Sequence, residues 1–145
     1  MINDFIKIRW RSRFFNSISF KFIRMKIKLN KDVVSICRSL TVKNNRLTKI
    51  FQLPISLGNL DFSENWLEEI PTTDVWPTMN ALLSLDLSGN RLGDNLKHGS
   101  FENLLTLRTL NLQSNNITRP PWEALSTLTS LQYLYMQVRP CLEFY

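Results

Sequence analysis

Residues 82–92 read Leu-Leu-Ser-Leu-Asp-Leu-Ser-Gly-Asn-Arg-Leu. Leu82, Leu85, Leu87 and Leu92 surround Asn90 in the spacing L-x-x-L-x-L-x-x-N-x-L. Leu107, Leu110, Leu112, Asn115 and Ile117 repeat it 25 residues later, and Leu57, Leu60, Phe62, Asn65 and Leu67 hold it 25 residues earlier. Cys37, Leu40, Val42, Asn45 and Leu47 hold it 20 residues before that. Leu131, Leu134 and Met136 begin a fifth copy, with Arg139 in the place of the asparagine.

The L-x-L centre of each copy alternates with period two, as a strand with one buried face requires. Leu85 and Leu87 are therefore expected to point inward, and Ser84, Asp86 and Ser88 outward. One such strand cannot bury its apolar face alone, so neighbouring copies must stack into a shared core. The asparagine falls where the chain leaves the strand. A buried turn there strands backbone N–H and C=O groups, and an amide side chain both donates and accepts. Asn45, Asn65, Asn90 and Asn115 are expected to form a structural ladder, each bonding its own turn and the next.

Fourteen residues before Asn65, Asn90, Asn115 and the equivalent Arg139 lie the apolar anchors Phe51, Trp76, Phe101 and Leu125. Three residues on come Pro54, Met79, Leu104 and Leu128. A period of 20–29 residues with this pattern is the signature of leucine-rich repeats, and the chain resembles that family from about Ser35 onward. The fuller pattern, F-x-x-L-x-x-L-x-x-L-x-L-x-x-N, is similar to the typical subtype found in animal extracellular and receptor proteins; Ile70-Pro71 fits it too. The resemblance implies an α/β fold: a leucine-rich repeat solenoid forming a short horseshoe arc, with parallel strands on its concave face and little regular helix. Residues 32–145 are expected to form about four and a half repeats with the C-terminal cap missing, the whole reading as a fragment.

The chain has 145 residues, 43% of them hydrophobic, and a net charge of +6. Residues 1–31 hold nine Lys/Arg against the single acid Asp4, or +8; the remainder holds nine against eleven, or −2. In this basic segment Ile18, Phe20 and Phe22, then Ile23, Met25, Ile27 and Leu29, alternate with polar residues in two strand-like runs, with a phase shift at Phe22-Ile23. Three readings stay open: a cap on the edge of the first repeat, a disordered leader, or an arm for nucleic acid or anionic membrane using Trp10, Phe14 and Phe15 beside Arg9, Arg11 and Arg13. No uninterrupted apolar stretch near the start resembles a secretory signal.

Cys37 and Cys141 stand about four repeats apart, roughly 19 Å at one strand spacing per repeat. That is beyond the reach of a disulfide, about 7 Å between Cα atoms, so two free thiols are expected. His98 has no second His or Cys beside it in sequence, and no metal site or cofactor is implied. A Pro at the first turn suits a short helix over Pro121 to Leu125, and Thr72 to Asp74 are expected to form a brief turn before Pro77.

No nucleophile is paired with a base, so the chain reads as non-enzymatic. The expected role is protein binding through the concave face, within a cell-surface or matrix protein involved in adhesion or signalling; an intracellular scaffold is the alternative. The compartment stays undecided. Outward strand positions put Asp61, Asp86, Asn111, Gln113, Tyr133 and Tyr135 on that face. Tyrosines are enriched at interface hot spots, and Asp61 and Asp86 are expected about 5 Å apart as like charges. Replacing Asp86 by Ala is expected to leave stability nearly unchanged. Asn116-Ile117-Thr118 is an N-glycosylation acceptor sequence, with Asn116 expected at the surface.

Overall fold

Each copy of the spacing contributes a strand only three residues long, with one apolar residue between two outward neighbours. A computed structural model of the chain describes residues 17–19, 38–51, 53, 55–70, 76 and 79–139. Six strands, β1 (Ser17–Ser19), β2 (Ser39–Thr41), β3 (Asn59–Asp61), β4 (Ser84–Asp86), β5 (Thr109–Asn111) and β6 (Tyr133–Tyr135), form one sheet in sequence order. Every neighbouring pair is parallel. Leu40, Leu60, Leu85, Leu110 and Leu134 lie directly beside one another across β2 to β6. This is a solenoid arc: each coil pairs only with its neighbours.

The core is the stacked apolar set. Leu57, Leu82 and Leu107 enter each strand, Leu60, Leu85 and Leu110 centre it, and Phe62, Leu87 and Leu112 leave it, all buried. Leu67, Leu92 and Ile117 close the turn from below, also buried. Burying one such side chain is worth about 1.5–3 kcal/mol, so each repeat gains its stability chiefly from this set. The anchors pack behind the leucines. Phe101 is fully buried, and the buried Trp76 donates its indole N–H to Ser100 O at 2.7 Å in the following repeat. Phe51 is half-buried, its ring 5.5 Å from that of Phe62.

The only helix among the described residues is α1 (Trp122–Leu125), one residue shorter than the expected turn because Pro121 acts as its N-cap. It buries Ala124 and leaves Leu125 half-buried, so the expected anchor shifts by one residue here.

β1 lies inside the basic segment. Its register sets Ile18 against Leu40. In the sequence, Phe15, Phe20 and Met25 stand at the same offsets from Ile18 as the apolar residues of the later copies from their central leucines, and Ile23 stands at the offset of the asparagine. The Cys37 and Cys141 thiols, Pro54, the Thr72–Asp74 turn with Pro77, and the basic segment apart from β1 lie outside the described residues.

Candidate protein-binding surface

The turn that follows each strand is built the same way four times. The residue just before each ladder asparagine adopts a left-handed backbone: Asn44 (φ 56°), Glu64 (55°), Gly89 (65°) and Ser114 (55°). The amides of the first three reach across to the following repeat, Asn44 to Ser63 O, Glu64 to Ser88 O and Gly89 to Gln113 O, at 2.8–3.0 Å. The left-handed step swings the asparagine side chain under the turn.

There the four asparagines are buried. Asn90 Nδ2 donates to Leu87 O at 2.9 Å and Ser88 O at 3.3 Å on its own turn, and to Phe62 O at 3.0 Å in the preceding repeat. Asn90 Oδ1 receives the N–H of Leu67, also in the preceding repeat. Asn65 makes the same set with Val42 O and Leu47 N, and Asn115 with Leu87 O and Leu92 N. Asn45 donates to Val42 O and Lys43 O on its own turn. The reach therefore runs backward along the solenoid, not to the next turn. The turn amide of each repeat donates to the asparagine of the repeat after it, and the strand-end carbonyl accepts from that same asparagine. Among the described residues no buried side-chain nitrogen or oxygen lacks a hydrogen-bond partner.

The sheet face opposite the core carries the outward rows. Asp61 pairs with Asp86, Asp86 with Asn111, and Asn111 with Tyr135; Thr109 pairs with Tyr133. Tyr133 and Tyr135 are exposed, at 58% and 48%. Gln113 is exposed one turn further along. The carboxylates are not bare like charges. Asp61 Oδ1 accepts the N–H of Ser63 at 2.9 Å and its hydroxyl at 2.6 Å. Asp86 Oδ1 does the same with Ser88, at 2.8 and 2.6 Å. Asn111 Oδ1 accepts the N–H of Gln113 and its Nδ2 donates to Asp86 Oδ2 at 3.2 Å. These side chains brace the strand exit as well as facing outward. Ser63 is buried, with its hydroxyl on Asp61. One expectation changes with this: Asp86 also holds a turn, so removing its carboxylate is expected to cost stability.

Asn116 is exposed, with a left-handed φ of 56°. Two residues on, Thr118 is clamped by Asp94 of the preceding return: Asp94 Oδ1 accepts Thr118 N–H at 2.8 Å and Arg119 N–H at 3.2 Å, and Asp94 Oδ2 accepts the Thr118 hydroxyl. The Thr118 hydroxyl, then its backbone N–H, hold the Asp94 carboxyl below its ordinary range.

The leucine pattern does not mark a further group. Arg46, Trp66 and Arg91 each stand one residue past a ladder asparagine. The guanidinium carbons of Arg46 and Arg91 lie 5.4 and 4.7 Å from the Trp66 ring centre. The signal was available: positions at one offset from the asparagine must be neighbours once the repeats stack.

Among the described residues no cluster of three or more His, Cys, Asp or Glu side chains is arranged to hold a metal ion, and no helix is long and apolar enough to cross a membrane.

Residues 80–137 match the family model described as leucine rich repeat. No curated protein matches the chain. Domains of this kind generally mediate protein–protein binding and are typically non-enzymatic. The matched stretch includes β4, β5 and β6, and the same register and asparagine bonding run back through β3 and β2; the match supports a leucine-rich repeat family for this chain.

Proposed function

We propose that the chain binds a protein partner through the concave sheet face, using Asp61, Asp86, Asn111, Gln113, Tyr133 and Tyr135. The observation that carries this reading is the pair of exposed tyrosines on β6, in register with the polar rows of β3 to β5. Exposed aromatic rings beside braced polar groups combine apolar contact with fixed hydrogen-bonding directions. Asp86 and Asn111 are pre-positioned by their bonds to each other and to their turns, which lowers the ordering cost of binding.

The deciding experiment places a photo-crosslinking amino acid at Gln113 in the full chain and compares the adducts with those of Tyr133→Ala/Tyr135→Ala. A discrete protein adduct that disappears in the tyrosine variant supports the reading; an adduct pattern indifferent to both tyrosines overturns it.

A cell-surface or matrix setting is part of the same proposal, supported by the subtype pattern and by the exposure of Asn116. Secretory expression should then attach a glycan at Asn116, read as a mass increase that endoglycosidase removes. The β1–β2 pairing supports the further proposal that residues 1–31 supply a cap-like extension of the sheet rather than a separate arm.

A further inference from the structure

The Arg46, Trp66 and Arg91 group lies along the turns, away from the sheet face discussed above. Trp66 is 38% exposed, and both arginines are exposed. One guanidinium comes from each flanking repeat, and both fall within the ~6 Å over which a cation is drawn to an aromatic face. The stacking follows from the repeat geometry: the amides of Trp66 and Arg91 donate to Leu47 O and Leu67 O, locking consecutive turns at 2.9 and 2.8 Å.

Two like charges are thus gathered around one ring. The only ion pair among the described residues joins Lys43 to Glu64 at 3.4 Å, so neither guanidinium is neutralised by a described carboxylate. The aromatic contact holds each guanidinium beside the ring, and no described carboxylate takes its N–H fork. That fork matches a carboxylate with two parallel hydrogen bonds. The two arginines stand two repeats apart, roughly 10 Å at the ordinary strand spacing. A peptide in the polyproline II conformation covers about 9 Å in three residues and returns its side chains to the same face. Exposed Glu68 and Glu69 follow Trp66 in the chain. They disfavour a uniformly charged strand such as a nucleic acid and tolerate a segment whose carboxylates are few and spaced.

We propose that the Arg46–Trp66–Arg91 stack is a docking site for an acidic peptide segment of a partner protein, with two carboxylates spaced three residues apart engaging the two guanidinium groups. It is a second contact, separate from the concave face, and it orients a bound partner along the turn edge.

The test uses the full chain labelled with nitrogen-15 and the probe peptide Gly-Ser-Asp-Gly-Ser-Asp-Gly-Ser. The Trp66 indole N–H signal, assigned with Trp66→Phe, is followed during titration at low salt. The signal should shift saturably, and the Gln-for-Asp peptide should leave it in place. Arg46→Gln/Arg91→Gln, folded by its own spectrum, should weaken binding by about tenfold or more, as loss of two charge-assisted forks requires. Arg46→Lys/Arg91→Lys should bind between the two, because charge remains while planar fork and stacking are lost. Tyr133→Ala/Tyr135→Ala should bind the peptide like the parent, which separates this site from the concave one. An unmoved Trp66 signal, equal binding by the Gln double variant, or tighter binding of oligothymidylate than of the peptide at this indole overturns the proposal.

Discussion

Asn90 Oδ1 accepts the backbone N–H of Leu67 at 3.0 Å, 23 residues earlier in the chain, so a turn in one repeat is completed by a side chain from the next. Stability in this solenoid is shared between neighbours at such points. Removing Asn90 takes from the buried Leu67 amide the partner it has here.

Asn90→Ala should therefore destabilise the chain by about 1–3 kcal/mol, the cost of leaving buried backbone groups unmet. Gln113→Ala, at an exposed position, should stay within about 0.5 kcal/mol of the parent. Urea unfolding of the two variants checks this, and equal midpoints would contradict the burden placed on the Asn90 amide.

Gly89→Ala should cost about 1–2 kcal/mol, because φ is 65° and a side chain in the left-handed region is strained. The added carbon would also meet Glu64 Cγ at 3.3 Å. Gly93→Ala has a similar φ of 52° but nothing within 4 Å, so it isolates the backbone part. A Gly89 loss no larger than the Gly93 loss would mean that the Glu64 side chain simply gives way.

Asp86→Ala should lose about 1–2 kcal/mol, since one oxygen holds the Ser88 turn and the other receives Asn111. Asp86→Asn keeps an acceptor for Ser88 and should lose less than half as much. Thermal melts of both, at one buffer and ionic strength, distinguish a turn brace from a bare surface charge.

Asp94 should make stability depend on acid. Its folded carboxyl is held below the ordinary 3.8 by the Thr118 hydroxyl and backbone N–H. A depressed carboxylate stabilises the fold fully above its unfolded value and loses that contribution as pH falls through the folded one. The gap in unfolding midpoint between parent and Asp94→Asn should be widest at neutral pH and close below 3.8. A gap that persists unchanged in strong acid would place the stabilisation elsewhere than in the charged form.

Much of the fold was legible in the leucines. A period-two centre followed by a fixed step to Asn has only one arrangement that buries every Leu, and the sheet of in-register strands is that arrangement. β1 was harder to read because no asparagine stands at the ladder offset after Ile18, and nine basic residues crowd the segment. The candidate surface was legible only as outward positions. Nothing in L-D-L-S tells that the aspartate turns back to brace its own serine, since that bond depends on the left-handed step after the strand. The arginine–tryptophan stack was hidden for another reason. Arg46, Trp66 and Arg91 are 20 and 25 residues apart in the chain, and become neighbours only once coils of unequal length close to the same height.

The order of the strands, the residues that line the core and the four asparagine positions follow from spacing alone, because burying an apolar face is a local requirement repeated along the chain. The direction in which each asparagine reaches, the bracing of Asp61 and Asp86, the clamp of Asp94 on Thr118 and the meeting of two guanidinium groups over one indole belong to the folded molecule. Hydrogen bonds and ring contacts have direction, and direction is set only when one coil lies on another.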